Sequence, residues 1–178
     1  TVEVVNNADP PSTTYAGNAR KGGTNGGRWI GCFLTDSSGN IYNAIPTETA
    51  ANQVTVTYTG ASQTSAPFRL LSAGTSATYS LVSAAGVAPN YVSQSLTIVL
   101  YVGTSGAGTD AYAGTSIDNS SSLIFSGGID GILASGIYPR TTFVQPLLTN
   151  PPSFYYLVGT SSVSPVAYID TIGYIAAR

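Results

Sequence analysis

Between Gln53 and Thr59 the side chains alternate without a break. Val54, Val56 and Tyr58 fall on one side, and Thr55, Thr57 and Thr59 on the other. Successive side chains of an extended chain point to opposite faces, so this two-residue period dictates a strand with one dry face and one wet face. The period returns at Leu96, Ile98, Leu100 and Val102, but there the intervening positions are Thr97, Val99 and Tyr101. Apolar residues at both phases predict a central strand covered on both sides. Further strands are expected at 2–6, 29–34, 40–45, 68–72, 77–83, 122–126, 141–145, 154–159 and 166–176, each bounded by Gly, Pro, Asn or Ser. One helical turn is expected over 47–52, after Pro46; little else avoids β-branched residues for long.

Many short strands separated by turn residues define the class as all-β, a single antiparallel β-sandwich. Pattern alone leaves a jelly roll and an Ig-like Greek key open. The expected core comprises Trp29, Ile30, Phe33, Val54, Val56, Tyr58, Leu96, Ile98, Leu100, Phe125, Leu157, Ile169 and Ile172. Cys32 shares a phase with Ile30 and Leu34 and is expected there too, as a small hydrophobe. A lone cysteine excludes an intrachain disulfide. The tripeptide Gly-Thr-Ser recurs at 74–76, 103–105, 114–116 and 159–161 and reads as a reused strand-ending turn.

The N-terminus is organised differently. Thr1, Val2, Glu3, Val4 and Val5 make a short strand, and then 6–27 holds no apolar cluster but carries Pro10, Pro11, Gly17, Gly22, Gly23, Gly26 and Gly27. So long a connection is unusual inside a compact domain. The division expected is an N-terminal strand and Gly/Pro-rich joint over 1–27, forming an extended arm, and a sandwich body over 28–178. Since the chain starts at Thr1, a processed or excised chain is expected.

The joint also contains the densest basic stretch, with Arg20, Lys21 and Arg28 among glycines. A phosphate loop needs G-x-x-x-x-G-K-[ST] between a strand and a helix. Here Lys21 precedes its glycines and an apolar, strand-like run follows, so the phosphate reading fails. Nucleic-acid affinity scales with the number of phosphates neutralised. Three clustered cations on a chain of net charge −2 predict no nucleic-acid partner. No apolar run approaches the roughly 20 residues of a membrane helix, so no membrane insertion is expected.

Catalysis has little to work with. The chain has no His, which excludes a Ser-His-Asp triad and any His-containing zinc site. The carboxylates are Glu3, Asp9, Asp36, Glu48, Asp110, Asp118, Asp130 and Asp170, most of them beside turn residues. Two could in principle hydrolyse a glycoside, but no pair stands out. The run Asp36-Ser37-Ser38-Gly39-Asn40 lacks the second acid and distal Glu of a calcium loop and reads as a hairpin loop. Asp110, Asp118 and Asn119 flank Tyr112, a combination suited to a sugar-binding loop. Asn119-Ser120-Ser121 makes Asn119 a candidate glycosylation acceptor. No catalytic residue, cofactor or metal is expected.

Charged residues are only 8% of the chain while apolar residues are 43%, so scarcity of charge does not mean disorder. Weak self-repulsion suits a chain that sits beside copies of itself. The function expected is a non-enzymatic subunit of an extracellular polymer, a pilus-like filament, with Thr1, Val2, Glu3, Val4 and Val5 adding a strand to a neighbouring subunit. The alternatives are a jelly-roll viral capsid or capsid-projection domain, and a secreted carbohydrate-binding module. Partners are then copies of itself and, in the last two cases, host or cell-surface glycans. The location is extracellular, at a cell or virion surface.

Overall fold

The alternating segments form antiparallel strands in a computed structural model of the chain. It describes residues 13–15, 19–22, 27–28, 34–35, 38–50, 53–59, 68–89, 93–104, 110–119, 125–130, 136–149, 151–159 and 164–177. In chain order the strands are β1 (Thr13–Tyr15), β2 (Ala19–Gly22), β3 (Gly27–Arg28), β4 (Ala44–Ala50), β5 (Gln53–Tyr58), β6 (Arg69–Gly74) and β7 (Ser80–Ser83). They continue as β8 (Ser93–Thr104), β9 (Asp110–Ser116), β10 (Phe125–Asp130), β11 (Gly136–Pro146), β12 (Leu148–Thr149), β13 (Pro152–Gly159) and β14 (Pro165–Ala177). No helix occurs among the described residues.

Two antiparallel sheets make the body, as expected of a β-sandwich. The first runs β11–β8–β14–β5–β4, with β6 also paired to β14. In the second, β10 pairs β9 and β9 pairs β13, which also takes β7 and β12. The pairing is nested. β5 joins β14, β7 joins β13, β8 joins β11 and β9 joins β10, so the first and last strands of this set meet outermost and the middle closes on itself. Successive nested pairs fall in alternate sheets. Separately, β1, β2 and β3 form a small antiparallel meander within the interval read as connection, so Arg20, Lys21 and Arg28 lie on strands.

The core lies between the sheets. Leu96, Ile98, Leu100 and Val102 of β8 and Ile169 of β14 are buried with Phe154, Tyr156 and Val158 of β13 and Ala111 and Ala113 of β9. Tyr58 closes part of it with aromatic edges. Its ring meets Tyr42 at 6.3 Å, Phe68 at 6.1 Å and Tyr174 at 6.0 Å, and its hydroxyl donates to the Val87 carbonyl. The buried side chains of Thr115 and Gln145 are partnered, as a dry interior requires. Thr115 Oγ1 donates to Gln145 Oε1 at 2.5 Å, linking β9 to β11 across the layers, while Gln145 Nε2 donates to the Pro146 carbonyl at 2.8 Å.

Several expectations change. The helical turn at 47–52 gives way to strand β4, whose pairing with β5 satisfies the same backbone groups. Ile172, expected in the core, is 38% exposed because it is the extra residue of a bulge: Thr171 faces Ile98 and Gly173 faces Thr97. Leu157 is only half-buried. Gly103-Thr104 and Gly114-Thr115-Ser116 lie inside strands β8 and β9 rather than in turns. The hairpin at 36–40 holds: Thr35 bridges Ile41, the Tyr42 amide donates to the Leu34 carbonyl at 3.0 Å, and Gly39 takes φ +82°. Trp29, Ile30, Cys32 and Phe33 lie outside the described residues.

Candidate functional site

Of the carboxylates expected near a sugar-binding loop, the structure describes the side chain of Asp118 and only the backbone of Asp110. Asp118 follows β9 in a local turn, accepting from the Ser116 hydroxyl at 3.2 Å while its own amide donates to Ser116 Oγ at 3.3 Å. This is how a short acidic side chain stabilises a turn. Asp110 opens β9 directly opposite Asp130, the last residue of β10. Tyr112, 39% exposed, lies across its strand partner Gly159, where a Cβ would come within 2.3 Å of the ring. Tyr79 Oη is occluded, with no hydrogen-bond partner among the described residues. Burial first, then the Asp118 carboxylate and Tyr112, push its phenol above the ordinary value of 10.0. Asn119 is exposed at the end of this segment.

Elsewhere, Arg69 and Asp170 form a partly buried two-pronged ion pair. Arg69 Nε donates to Asp170 Oδ1 and Nη2 donates to Oδ2 at 3.2 Å. The guanidinium also lies 5.3 Å from the centre of the Tyr168 ring, which stacks its cation against an aromatic face. The pair joins β6 to β14 and has no nucleophile or second acid against it among the interactions described. No group of three metal-ligating side chains occurs among the described residues. No helix among the described residues is long and apolar enough to cross a membrane.

What the sandwich does present is edges. An edge strand leaves a row of unpaired amides and carbonyls, and native proteins block such rows with proline, charge, bulges or brevity. β4 carries exposed Pro46 and Glu48 and a register shift between Glu48 and Ala50. β6 has two register shifts against β14 and a residue of positive φ, Ala73 at 53°. β10 holds two consecutive glycines and ends on Asp130, while β7 and β12 are four and two residues long. β11 differs. It has eleven residues and pairs only with β8 among the described strands. Pro139, at the register shift between Tyr138 and Arg140, and Pro146 bound it. Between Thr141 and Gln145 there is neither charge nor proline.

Thr1, Val2, Glu3, Val4 and Val5, the residues expected to contact a neighbouring subunit, lie outside the described residues. Periodicity did not single out the β11 edge, since 141–145 reads only as one more strand; its lack of blockers emerges once the pairing is known. No family model, curated protein or solved structure matches the chain.

Proposed function

We propose that the chain is a non-enzymatic structural subunit that assembles with copies of itself into a closed shell, as a jelly-roll viral capsid or capsid-projection domain. The observation that carries this reading is the nested pairing of β5 with β14, β7 with β13, β8 with β11 and β9 with β10, alternating between sheets. A jelly roll is such a nested hairpin wound into two sheets, and its main users are capsids, lectins and cupins. Cupin chemistry holds its metal through imidazole, and the chain has no His. A lectin needs convergent polar groups on a binding surface, whereas Asp118 is engaged in its own turn.

The same topology weighs against a strand-accepting filament subunit. Donor-strand addition completes a sheet that lacks a strand. Here all eight nested strands are present, so the Thr1–Val5 arm acts as a tether between copies rather than as a missing strand. Sparse charge favours close apposition, and exposed Asn119 suits a virion or extracellular surface. The test is electron microscopy of the full chain at high concentration. Closed particles are expected. Open filaments, or hydrolysis of a glycoside panel abolished by one Asp→Asn change, would overturn the reading.

A further inference from the structure

We infer that the β2–β3 ribbon of one copy docks on the β9–β10 end of a second copy, with the cross-strand pair Lys21–Arg28 set against the cross-strand pair Asp110–Asp130. This rests on the reading that copies of the chain associate.

Like charges directly opposite one another destabilise an antiparallel ladder. Charge is scarce here, at 8% of the chain, yet strand pairing sets like charges opposite each other twice. Lys21 is the register partner of Arg28, and Asp110 is the register partner of Asp130. Among the described pairings no other two cations or two acids are opposed. Opposed positions share a face, with Cβ atoms about 4.5–5.5 Å apart. Each pair therefore concentrates charge of one sign at one spot and calls for counter-charge.

The adjoining chain does not supply it. Residues 105–109, before Asp110, and 131–135, after Asp130, contain no charged residue, and 13–28 contains no acid. Neutral chain over two carboxylates would leave their charge without a partner, which is costly, so the pair calls for cations whatever else lies beside it. The chain has six. Arg69 is engaged with Asp170, and Arg140 is opposed to Tyr101. Arg20 falls on the alternate phase of β2, opposite Thr14. Lys21 and Arg28 are the two cations that register places side by side, at the spacing of two opposed acids. Residues 13–28 carry three cations and no acid, whereas 29–178 carry six acids and three cations, so ribbon and body attract.

A second copy suits this contact. Among the described residues β1, β2 and β3 form a sheet of their own and pair with neither sheet of the body. A contact between two different patches repeats from copy to copy and closes into a ring or shell where the rotation permits. Complementary charge selects and orients a partner more than it adds affinity. The four residues thus decide which surfaces meet, while uncharged contacts hold the assembly.

The experiment uses the full chain, in which Lys21 is the only lysine. Equal parts of isotope-labelled and unlabelled chain are coupled with a zero-length carbodiimide and mapped by mass spectrometry. Lys21 is expected to join Asp110 or Asp130 in peptides of mixed label. Lys21→Glu with Arg28→Glu, and separately Asp110→Lys with Asp130→Arg, should each weaken association roughly tenfold or more in sedimentation at low salt. Each double change keeps like charge opposite like charge within its own ladder, so circular dichroism and melting temperature should match the parent. An equal mixture of the two variants should associate as the parent does, because each supplies the pair the other lacks. Lys21 cross-links confined to one label, an association that ignores both reversals, or a mixture that stays dispersed would overturn the proposal. So would a calcium-dependent rise in melting temperature that Asp110→Asn abolishes, which would give the acid pair to a metal ion. Closed particles formed by either reversed variant alone would refute the docking and leave the shell reading intact. Mixed-label cross-links in chains that build only open filaments would do the reverse.

Discussion

At Gly173 the backbone of β14 passes so close to β5 that a Cβ would sit 2.0 Å from the Val56 carbonyl oxygen. No side-chain rearrangement can relieve a clash with backbone. Gly173→Ala is therefore expected to destabilise the protein by about 3 kcal/mol or more, beyond ordinary overpacking, read as a lower urea midpoint. The neighbouring Ile172 is the contrast: exposed on the bulge, Ile172→Ser should shift stability by no more than about 0.5 kcal/mol. Leu100→Ala, in the fully packed layer, should cost about 2–5 kcal/mol. Tyr79 gives a test in pH. Its phenol is held neutral above 10.0, so the folded state binds that proton more tightly than the unfolded chain. The stabilisation is complete below pH 10.0 and is lost as pH rises through the raised folded value. Tyr79→Phe should flatten that alkaline loss relative to the parent chain in paired unfolding titrations.

Strand β6 is the weakly tied element of the first sheet. It meets β14 through three register pairs interrupted by shifts, and the Arg69–Asp170 ion pair fastens its start. Asp170→Asn removes the charge but keeps the shape, leaving the guanidinium with one neutral acceptor. Amide exchange over 69–74 should accelerate, while β8 and β11, held by a longer ladder with a single register shift, keep their protection. Uniform acceleration across both sheets would mean that the pair supports the whole fold rather than this element. The same contrast explains what the sequence makes legible. Although in β5 only Tyr58 is buried and Val54 and Val56 are half-buried, β5, β8, β13 and β14 are readable because β-branched, aromatic and leucine side chains crowd them. β9 is not, because Ala111, Ala113 and Gly114 are poor strand formers whose value is thinness between the layers. β4 escapes because a proline, two threonines and a glutamate look like a helix start, and only pairing with β5 makes them a strand. The break at Ile172 is hidden for another reason. Alternation predicts phase only while the count is unbroken, and a bulge shifts it from Ile169 and Thr171 to Tyr174 and Ala176.

At the scale of the molecule, sparse charge sets what the proposed assembly would depend on, and nested pairing sets the order of folding. With charged residues at 8%, contacts in the proposed assembly would rely on backbone hydrogen bonds and apolar packing, which salt screens little. Assembly is therefore expected to survive a change from about 50 mM to about 1 M salt, monitored by light scattering. Dissolution at high salt would mean that the few charges dominate. The nesting makes a stronger demand on folding. β14 lies between β8 and both β5 and β6, so the β8–β11 and β4–β5 pairs cannot join into one sheet until the last strand arrives. Its partner β5 is separated from it by most of the chain, a loop whose closure entropy must be met before the contact can repay it. Folding should be slow for the chain's size, in the range of milliseconds to seconds or longer, with no stable body before β14 docks. Removing residues 165–178 should abolish the cooperative unfolding transition, exposing the inner face of β8 and driving aggregation. Removing residues 1–12 should leave that transition in place, because the eight nested strands remain. If the C-terminal truncation still melts cooperatively near the parent temperature, the second sheet folds alone and the nested order does not govern how this chain folds.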